Sequence, residues 1–252
     1  MLNRAAPYLL TLLSFVGLLI IQSRPQQLLL TGSILLVMVI AFFYLVVGKK
    51  INQLYFWVML LPPFWLIVAS VSLMVIAEAE IFRWAIAIFT PLVIGFFYRQ
   101  VYIYNFAPEQ YQPYALENLS VSINIFIVFL AASSLFGFRL FLGLSWTMLL
   151  GIFVLIVLTL TYQTLWAHKL SHKQMVWWLL SSVALLGQLF IAMGYLPVQY
   201  IVSGIIIAIA FYLFIGLNRL VIRQAFRRRL VAQQVILSSV LTLVVLITAR
   251  WI

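Results

Sequence analysis

The segment LLLTGSILLVMVIAFFYLVV, residues 28–47, decides the fold class of this chain. It carries no charged residue, and a helix needs about 20 predominantly apolar residues to cross the hydrocarbon core of a bilayer. The whole chain has a similar composition, since 66% of its 252 residues are hydrophobic and 8% are charged, whereas soluble domains carry about 25% charged residues. A water-soluble core of this size could not cover so much apolar surface, so most of it must face lipid.

Nine segments of this kind predict an all-α integral membrane protein, a helical bundle of about nine transmembrane helices in a single polytopic domain over residues 1–252. The first segment resembles a signal peptide in its charge order, but no small-residue cleavage site follows it, so we expect it to be retained. Only residues 137–143 divide the fifth and sixth segments, which leaves one bent helix, and eight spans in all, as the alternative. The predicted spans are 6–22, 28–47, 55–77, 81–104, 116–136, 144–166, 174–193, 198–217 and 231–249.

The distribution of basic residues predicts the orientation of these spans. Lys and Arg flank membrane spans mainly on the cytoplasmic side, and this chain has a net charge of +11. Nine spans with the N-terminus cytoplasmic and the C-terminus outside place eleven of the 15 Lys and Arg residues inside, whereas merging the fifth and sixth spans destroys this asymmetry. We expect a cytoplasmic membrane of prokaryotic type. The four outer basic residues are Arg24, Arg83, Arg139 and Arg250.

A recurring sequence frame predicts an internal repeat. The pattern FYLxxG ends the second span at residues 43–48 and the eighth at residues 211–216. A Ser in each odd-numbered span precedes a Tyr in the next span by 28 or 30 residues. This regularity favours four tandem helical hairpins, although membrane composition alone is the alternative origin. The hairpins are residues 6–48, 55–104, 113–166 and 174–217, followed by a last helix at 231–250, and the Ser–Tyr pairs are Ser14–Tyr44, Ser70–Tyr98, Ser134–Tyr162 and Ser182–Tyr212.

The ionisable residues suggest no catalytic site and no cofactor. The chain has no Cys and no Asp, which excludes thiolate chemistry and Cys-ligated metals. His168 and His172 stand four residues apart, but they lack a third ligand for a metal and a carboxylate for general-base chemistry. Ion-coupled transporters usually keep ionisable residues at membrane depth. The four acids are all expected in turns or near helix ends, and they are Glu78, Glu80, Glu109 and Glu117.

Four uncharged residues within the spans are candidates for a solute cavity. Pro62 and Pro63 interrupt the third span and Pro91 the fourth, and proline kinks expose carbonyl groups that a transporter can use. Kinks that serve only packing are the alternative. Gln188 is the largest uncharged polar residue that we place near a span centre, where it could make a polar contact in a cavity or bond to a neighbouring backbone.

A basic cluster after the eighth span predicts contact with lipid head groups. Its arginines alternate with apolar residues, which is typical of an interfacial helix that contacts anionic phospholipid at the cytoplasmic face. Capture of a phosphorylated ligand or an acidic partner is the alternative, whereas a short cluster against a membrane does not suggest nucleic acid. The residues are Arg219, Arg223, Arg227, Arg228 and Arg229.

The polar stretch RQVYIYNFAPEQYQPYALENLS, residues 99–120, is predicted to be mostly helix ends. Pro113 suits the first turn of the fifth helix and Glu117 the positive end of its dipole. Residues 105–112 then form a hinge between two halves or a surface for a partner. The sequence favours a membrane scaffold or interaction subunit without a catalytic site, which contacts other membrane proteins. The alternative is a permease or flippase for a lipid or small amphipathic solute, and a lipid-head-group enzyme ranks third.

Overall fold

The computed structural model describes residues 2–48, 51–167, 172–222 and 228–249. Over these residues the chain forms nine α-helices, two short 3-10 helices and no β-strand, and each α-helix is long and apolar enough to cross a membrane. The predicted fold class is confirmed, and the chain is a multi-pass membrane protein. The helices are α1 (Leu2–Ser23), α2 (Leu28–Val47), α3 (Leu54–Ile76), α4 (Glu80–Phe106), α5 (Ala115–Leu142), α6 (Trp146–Ala167), α7 (His172–Met193), α8 (Tyr200–Ile222) and α9 (Arg228–Thr248).

The fifth and sixth spans are separate helices. Gly143 follows the last residue of α5 with φ +64°, and its N–H donates to the carbonyl of Arg139. Glycine adopts this left-handed conformation without the steric cost that a side chain would bring, which ends the helix cleanly. The alternative of one bent helix is therefore wrong. α5 also runs six residues past its predicted end at 136, because neither Gly137 nor Arg139 interrupts the helical backbone.

The chain divides into two compact units, Met1–Ile123 and Asn124–Ile252. The first, unit 1, contains α1 to α4 and the beginning of α5, and the second, unit 2, contains the rest of α5 and α6 to α9. The boundary lies inside α5 and not at residues 105–112, and a hinge at those residues stays a prediction.

Unit 1 is built around aromatic contacts between three helices. α1 packs against α2 and α4, and α3 packs against α2 and α4. Phe43 of α2 meets Phe56 of α3 edge to face at 5.3 Å and Tyr98 of α4 at 5.5 Å, measured between ring centroids. All three rings are fully buried. Edge-to-face contacts of this kind stabilise the fold beyond the effect of burying the ring surface. They therefore hold the three helices in register.

Unit 2 has a corresponding aromatic stack. Phe190 of α7 stacks on Phe153 of α6 at 4.4 Å and on Phe136 of α5 at 4.5 Å. α6 packs on α7, α7 on α8, and α8 on α9. α9 has a single buried residue, Ser238, and the other residues of α9 are half-buried or exposed.

The proposed hairpin repeat stays a prediction. The four serines that suggested it, Ser14, Ser70, Ser134 and Ser182, are all buried. Among the four paired tyrosines only Tyr98 is buried, and the other three are half-buried. Small residues in a helix contact are common in membrane bundles, so the shared burial of the serines agrees with packing as well as with descent.

Candidate functional site

The three prolines of the predicted cavity are buried inside unit 1. Pro62 and Pro63 lie within α3 and Pro91 lies within α4, and both helices continue across them. The hydroxyl groups of Ser70 and Thr90 share a buried hydrogen bond of 2.8 Å, which joins α3 to α4 directly beside Pro91. The polar groups nearest this proline therefore serve a helix contact, and a solute site around the prolines stays a prediction.

Gln188 belongs to unit 2, and its side chain is exposed rather than enclosed. It stands five residues before the end of α7 at Met193 rather than near the centre of the helix. With a rise of 1.5 Å per residue this is about 7.5 Å inside the helix end, within the span. No hydrogen bond joins its amide to any residue that the structure describes. Gln188 is thus an exposed amide in the second half of α7, where its neighbours from Val183 to Met193 are otherwise apolar.

The residues around Gln188 form a continuous face of α7, which we call the α7 face. Its members recur every three or four residues, so they lie in one row along the helix. Four of them are exposed and Ser181 is half-buried, with its hydroxyl donating to the carbonyl of Trp178 at 3.0 Å. The α7 face consists of Trp177, Ser181, Ala184, Gln188 and Ala192.

A buried amide that the sequence analysis did not select lies in α5. The Asn124 Nδ2 group donates to Gln163 Oε1 at 2.8 Å, to Thr164 Oγ1 at 3.0 Å and to the carbonyl of Leu160 at 3.4 Å, all on α6. Asn124 and Gln163 are fully buried. An uncharged amide in the middle of an apolar segment is the signal that could have identified Asn124, since such groups bind across helices.

The basic cluster is only partly described. Arg219 lies in the last turn of α8, and Arg228 and Arg229 are exposed in the first turn of α9, where no acidic residue stands. Arg223 and Arg227 lie outside the described residues. The positive end of a helix dipole disfavours cations, so a lipid phosphate near α9 would stabilise its start. The contact with anionic phospholipid stays a prediction.

The histidine pair likewise falls at the edge of the described chain. His168 lies outside it, and of His172 only the backbone at the start of α7 is described. Among the described residues no three His, Cys, Asp or Glu side chains gather to hold a metal. The positions of the four acids are confirmed, because Glu78 and Glu109 lie in connections while Glu80 and Glu117 lie in the first turns of α4 and α5.

The connection before α5 holds a tyrosine and glutamate pair within unit 1. The Tyr111 hydroxyl donates to Glu117 Oε2 at 3.0 Å and accepts from the amide of Leu116 at 3.2 Å. Burial raises the pKa of the Tyr111 phenol to about 12, with the Leu116 amide opposing this shift and the Glu117 charge adding to it. Tyr114 has a φ of +63° and α5 begins at Ala115. Pro113 therefore precedes the helix, and its predicted place in the first turn is wrong.

Comparison with known proteins finds no matching family model, no matching curated protein and no matching solved structure. The function must therefore be inferred from the chemistry of the chain itself. Among the candidate residues, Gln188 has an exposed side chain whose amide has no hydrogen-bond partner among the described residues.

Proposed function

We propose that this chain is a non-catalytic interaction subunit of a membrane complex, and that it binds a transmembrane helix of another membrane protein along the α7 face. The observation that carries the proposal is the exposed Gln188 amide. The partner helix has small residues at the contact and a polar side chain that completes the hydrogen bonds of Gln188.

The energetic argument starts from the amide in hydrocarbon. Placing an amide in an environment without hydrogen-bond partners costs roughly 4–8 kcal/mol on the water-to-cyclohexane scale. A lipid chain offers neither a donor nor an acceptor, whereas a glutamine offers both. A facing helix that supplies a partner group recovers part of this cost, and hydrogen bonds between transmembrane helices contribute on average about 0.6 kcal/mol and at most about 1.7 kcal/mol.

The shape of the α7 face supports the same partner. Ser181, Ala184 and Ala192 are small, and they flank Gln188 at helical spacing. Small residues let two helix backbones approach closely, which strengthens van der Waals packing where lipid supplies no hydrophobic driving force. Trp177 is the member of the α7 face nearest the start of the helix, where an aromatic ring suits the membrane interface.

Polar groups inside the two units support a role without catalysis. In unit 1 the buried hydroxyl groups of Ser70 and Thr90 bind each other. In unit 2 the amide of Asn124 binds across to α6. These side chains hold helices together within each unit, and the mechanism they support is assembly, in which unit 2 presents the α7 face to a partner.

The test is co-purification of the full chain from its native membrane after mild extraction. We expect one membrane protein to co-purify in a fixed ratio, and Gln188→Leu to reduce that ratio at least threefold. Gln233→Leu is the matched control, because Gln233 is also exposed but lies about one turn inside Arg228 and Arg229, near the interface. A photo-crosslinker at Ala184 should capture the same protein, whereas one at the exposed Leu237 of α9 should not.

Two results with the glutamine variants would contradict the proposal, and one result with the proline variants would replace it. An unchanged ratio in Gln188→Leu, or equal losses in both glutamine variants, would remove the α7 face from the interaction. Lipid scrambling or solute uptake in proteoliposomes of the purified chain, abolished by Pro62→Ala or Pro63→Ala, would replace the proposal with the permease or flippase.

A further inference from the structure

Unit 2 contains a cavity at the end where α5 and α7 finish and α6 and α8 begin. Its volume is about 230 Å³. Most of its wall is apolar, with Phe136, Leu140, Trp146, Met193 and Val198 among the lining residues, and Arg139 stands with them. Pockets that enclose a drug-sized molecule measure roughly 300–1,000 Å³, so this cavity has room for part of one acyl chain rather than for a whole phospholipid.

Arg139 brings a positive charge to this cavity that no acid of unit 2 neutralises. Its Nη1 group donates to the carbonyls of Leu144 at 2.8 Å and Gly143 at 3.5 Å. Its guanidinium carbon lies 5.4 Å from the centre of the Trp146 ring. All four acids of the chain precede residue 118, whereas unit 2 begins at Asn124. The two hydrogen bonds use Nη1 alone, which leaves the Nη2 and Nε donors for a further acceptor.

The wall that carries this charge is held in place by packing. The Trp146 ring lies against Gly194, and a Cβ at residue 194 would stand 2.6 Å from Cζ2 of that ring. Phe136 and Phe190 meet the same indole edge to face at 6.3 Å and 6.2 Å. The ring therefore has one position, and it presents its face to the guanidinium. A binding site that exists before its ligand arrives loses less entropy on binding.

We propose that this cavity binds an anionic phospholipid, with the phosphate at Arg139 and the adjoining part of one acyl chain along the apolar wall. Arginine suits a phosphate because its planar donors match two phosphate oxygens at once. A phospholipid supplies both the anion and the apolar chain in one molecule, which inorganic phosphate does not. This lipid site goes beyond the proposed function, since it shares no residue with the α7 face and its test does not depend on a protein partner.

The experiment titrates the purified full chain in detergent with dihexanoyl phosphatidylglycerol and counts bound lipid by native mass spectrometry. We expect one lipid to bind, and Arg139→Gln to weaken its binding about tenfold, because hydrogen bonds to charged groups are strong. Leu140→Glu should weaken it at least as much, since it places a negative charge on an exposed lining position that packing does not require.

Arg83→Gln is the matched control. Like Arg139, Arg83 lies in a terminal turn of a helix, here the first turn of α4, and donates to backbone carbonyls, those of Ala77 and Glu78. It belongs to unit 1 and does not line the cavity. It should leave lipid binding within twofold of the natural chain. Equal weakening by Arg83→Gln, unchanged binding in both cavity variants, or inorganic phosphate competing as well as the lipid at equal concentration would each overturn the proposal.

Discussion

At the scale of single residues, the hydroxyl of Tyr98 shows how this bundle uses polar groups in its spans. It donates to the carbonyl of Val39 on α2 at 2.7 Å, and the whole ring is buried. We expect Tyr98→Phe to lower the free energy of unfolding in mixed micelles by about 0.6–1.7 kcal/mol, from the average to the largest value measured for side-chain bonds between transmembrane helices.

Tyr102→Phe provides the comparison for that measurement. The Tyr102 ring stacks on Phe106 at 5.3 Å, and its hydroxyl has no hydrogen bond among the described residues. Its loss should change the free energy of unfolding by less than about 0.5 kcal/mol. Equal effects of the two substitutions would mean that the bond to Val39 does not stabilise the fold.

The phenol of Tyr111 gives a prediction about pH. Its pKa of about 12 in the folded chain exceeds the value of about 10 in an unfolded one, chiefly because of burial. The contribution of this group to stability is therefore fully present below pH 10 and is lost as the pH rises through 12. The phenolate absorbance that disappears in Tyr111→Phe should titrate near pH 12.

Glu117→Gln separates the causes of that shift. Removing the carboxylate charge should lower the pKa of Tyr111, while burial should still keep it above 10. A Tyr111 phenol that titrates at its ordinary pKa in the natural chain would contradict the partly buried hydrogen bond to Glu117.

At the scale of helices, the contact between α5 and α8 depends on Gly204. A Cβ at residue 204 would stand 2.8 Å from the backbone nitrogen of Ser133 and 3.0 Å from the carbonyl oxygen of Phe129. Backbone atoms cannot turn aside as a flexible side chain can. Gly204→Ala should therefore push the two helices apart and lower the free energy of unfolding by roughly 1–3 kcal/mol.

The control for this contact is Gly151→Ala in α6. A Cβ at residue 151 meets nothing within 4 Å, and alanine in a helix interior is better than glycine by roughly 0.5–1 kcal/mol. The two variants should thus have opposite signs in the same unfolding experiment. Equal stabilisation by both would show that α5 and α8 are not in close contact at Gly204.

The helices themselves could be predicted from the sequence because their length is imposed by the bilayer. Over the described residues nine apolar runs correspond to nine helices, and their ends differ from the predicted ones where α5 continues through Arg139 and α9 begins at Arg228. The burial of individual polar residues could not be predicted in this way. Lipid chains are as apolar as a protein core, so the sequence around Asn124 and around Gln188 looks alike, although one is buried and the other exposed.

At the scale of the whole molecule, the helix count and the charge distribution together predict the topology. The boundary between unit 1 and unit 2 lies inside α5, so no change in composition marks it in the sequence. The orientation across the membrane is predicted from a different property, the placement of Lys and Arg. It can be measured on this chain directly, because the sequence has no Cys.

Three exposed glutamines in connections serve as labelling positions. Gln26 lies between α1 and α2, Gln110 between α4 and α5, and Gln199 between α7 and α8. With the N-terminus inside, a membrane-impermeant maleimide added to intact cells should label Gln26→Cys and Gln199→Cys but not Gln110→Cys. After the membrane is opened, all three should react. Labelling of Gln110→Cys alone in intact cells would reverse the orientation. Labelling of Gln26→Cys without Gln199→Cys would mean that an odd number of crossings separates them, in conflict with six helices between the two sites.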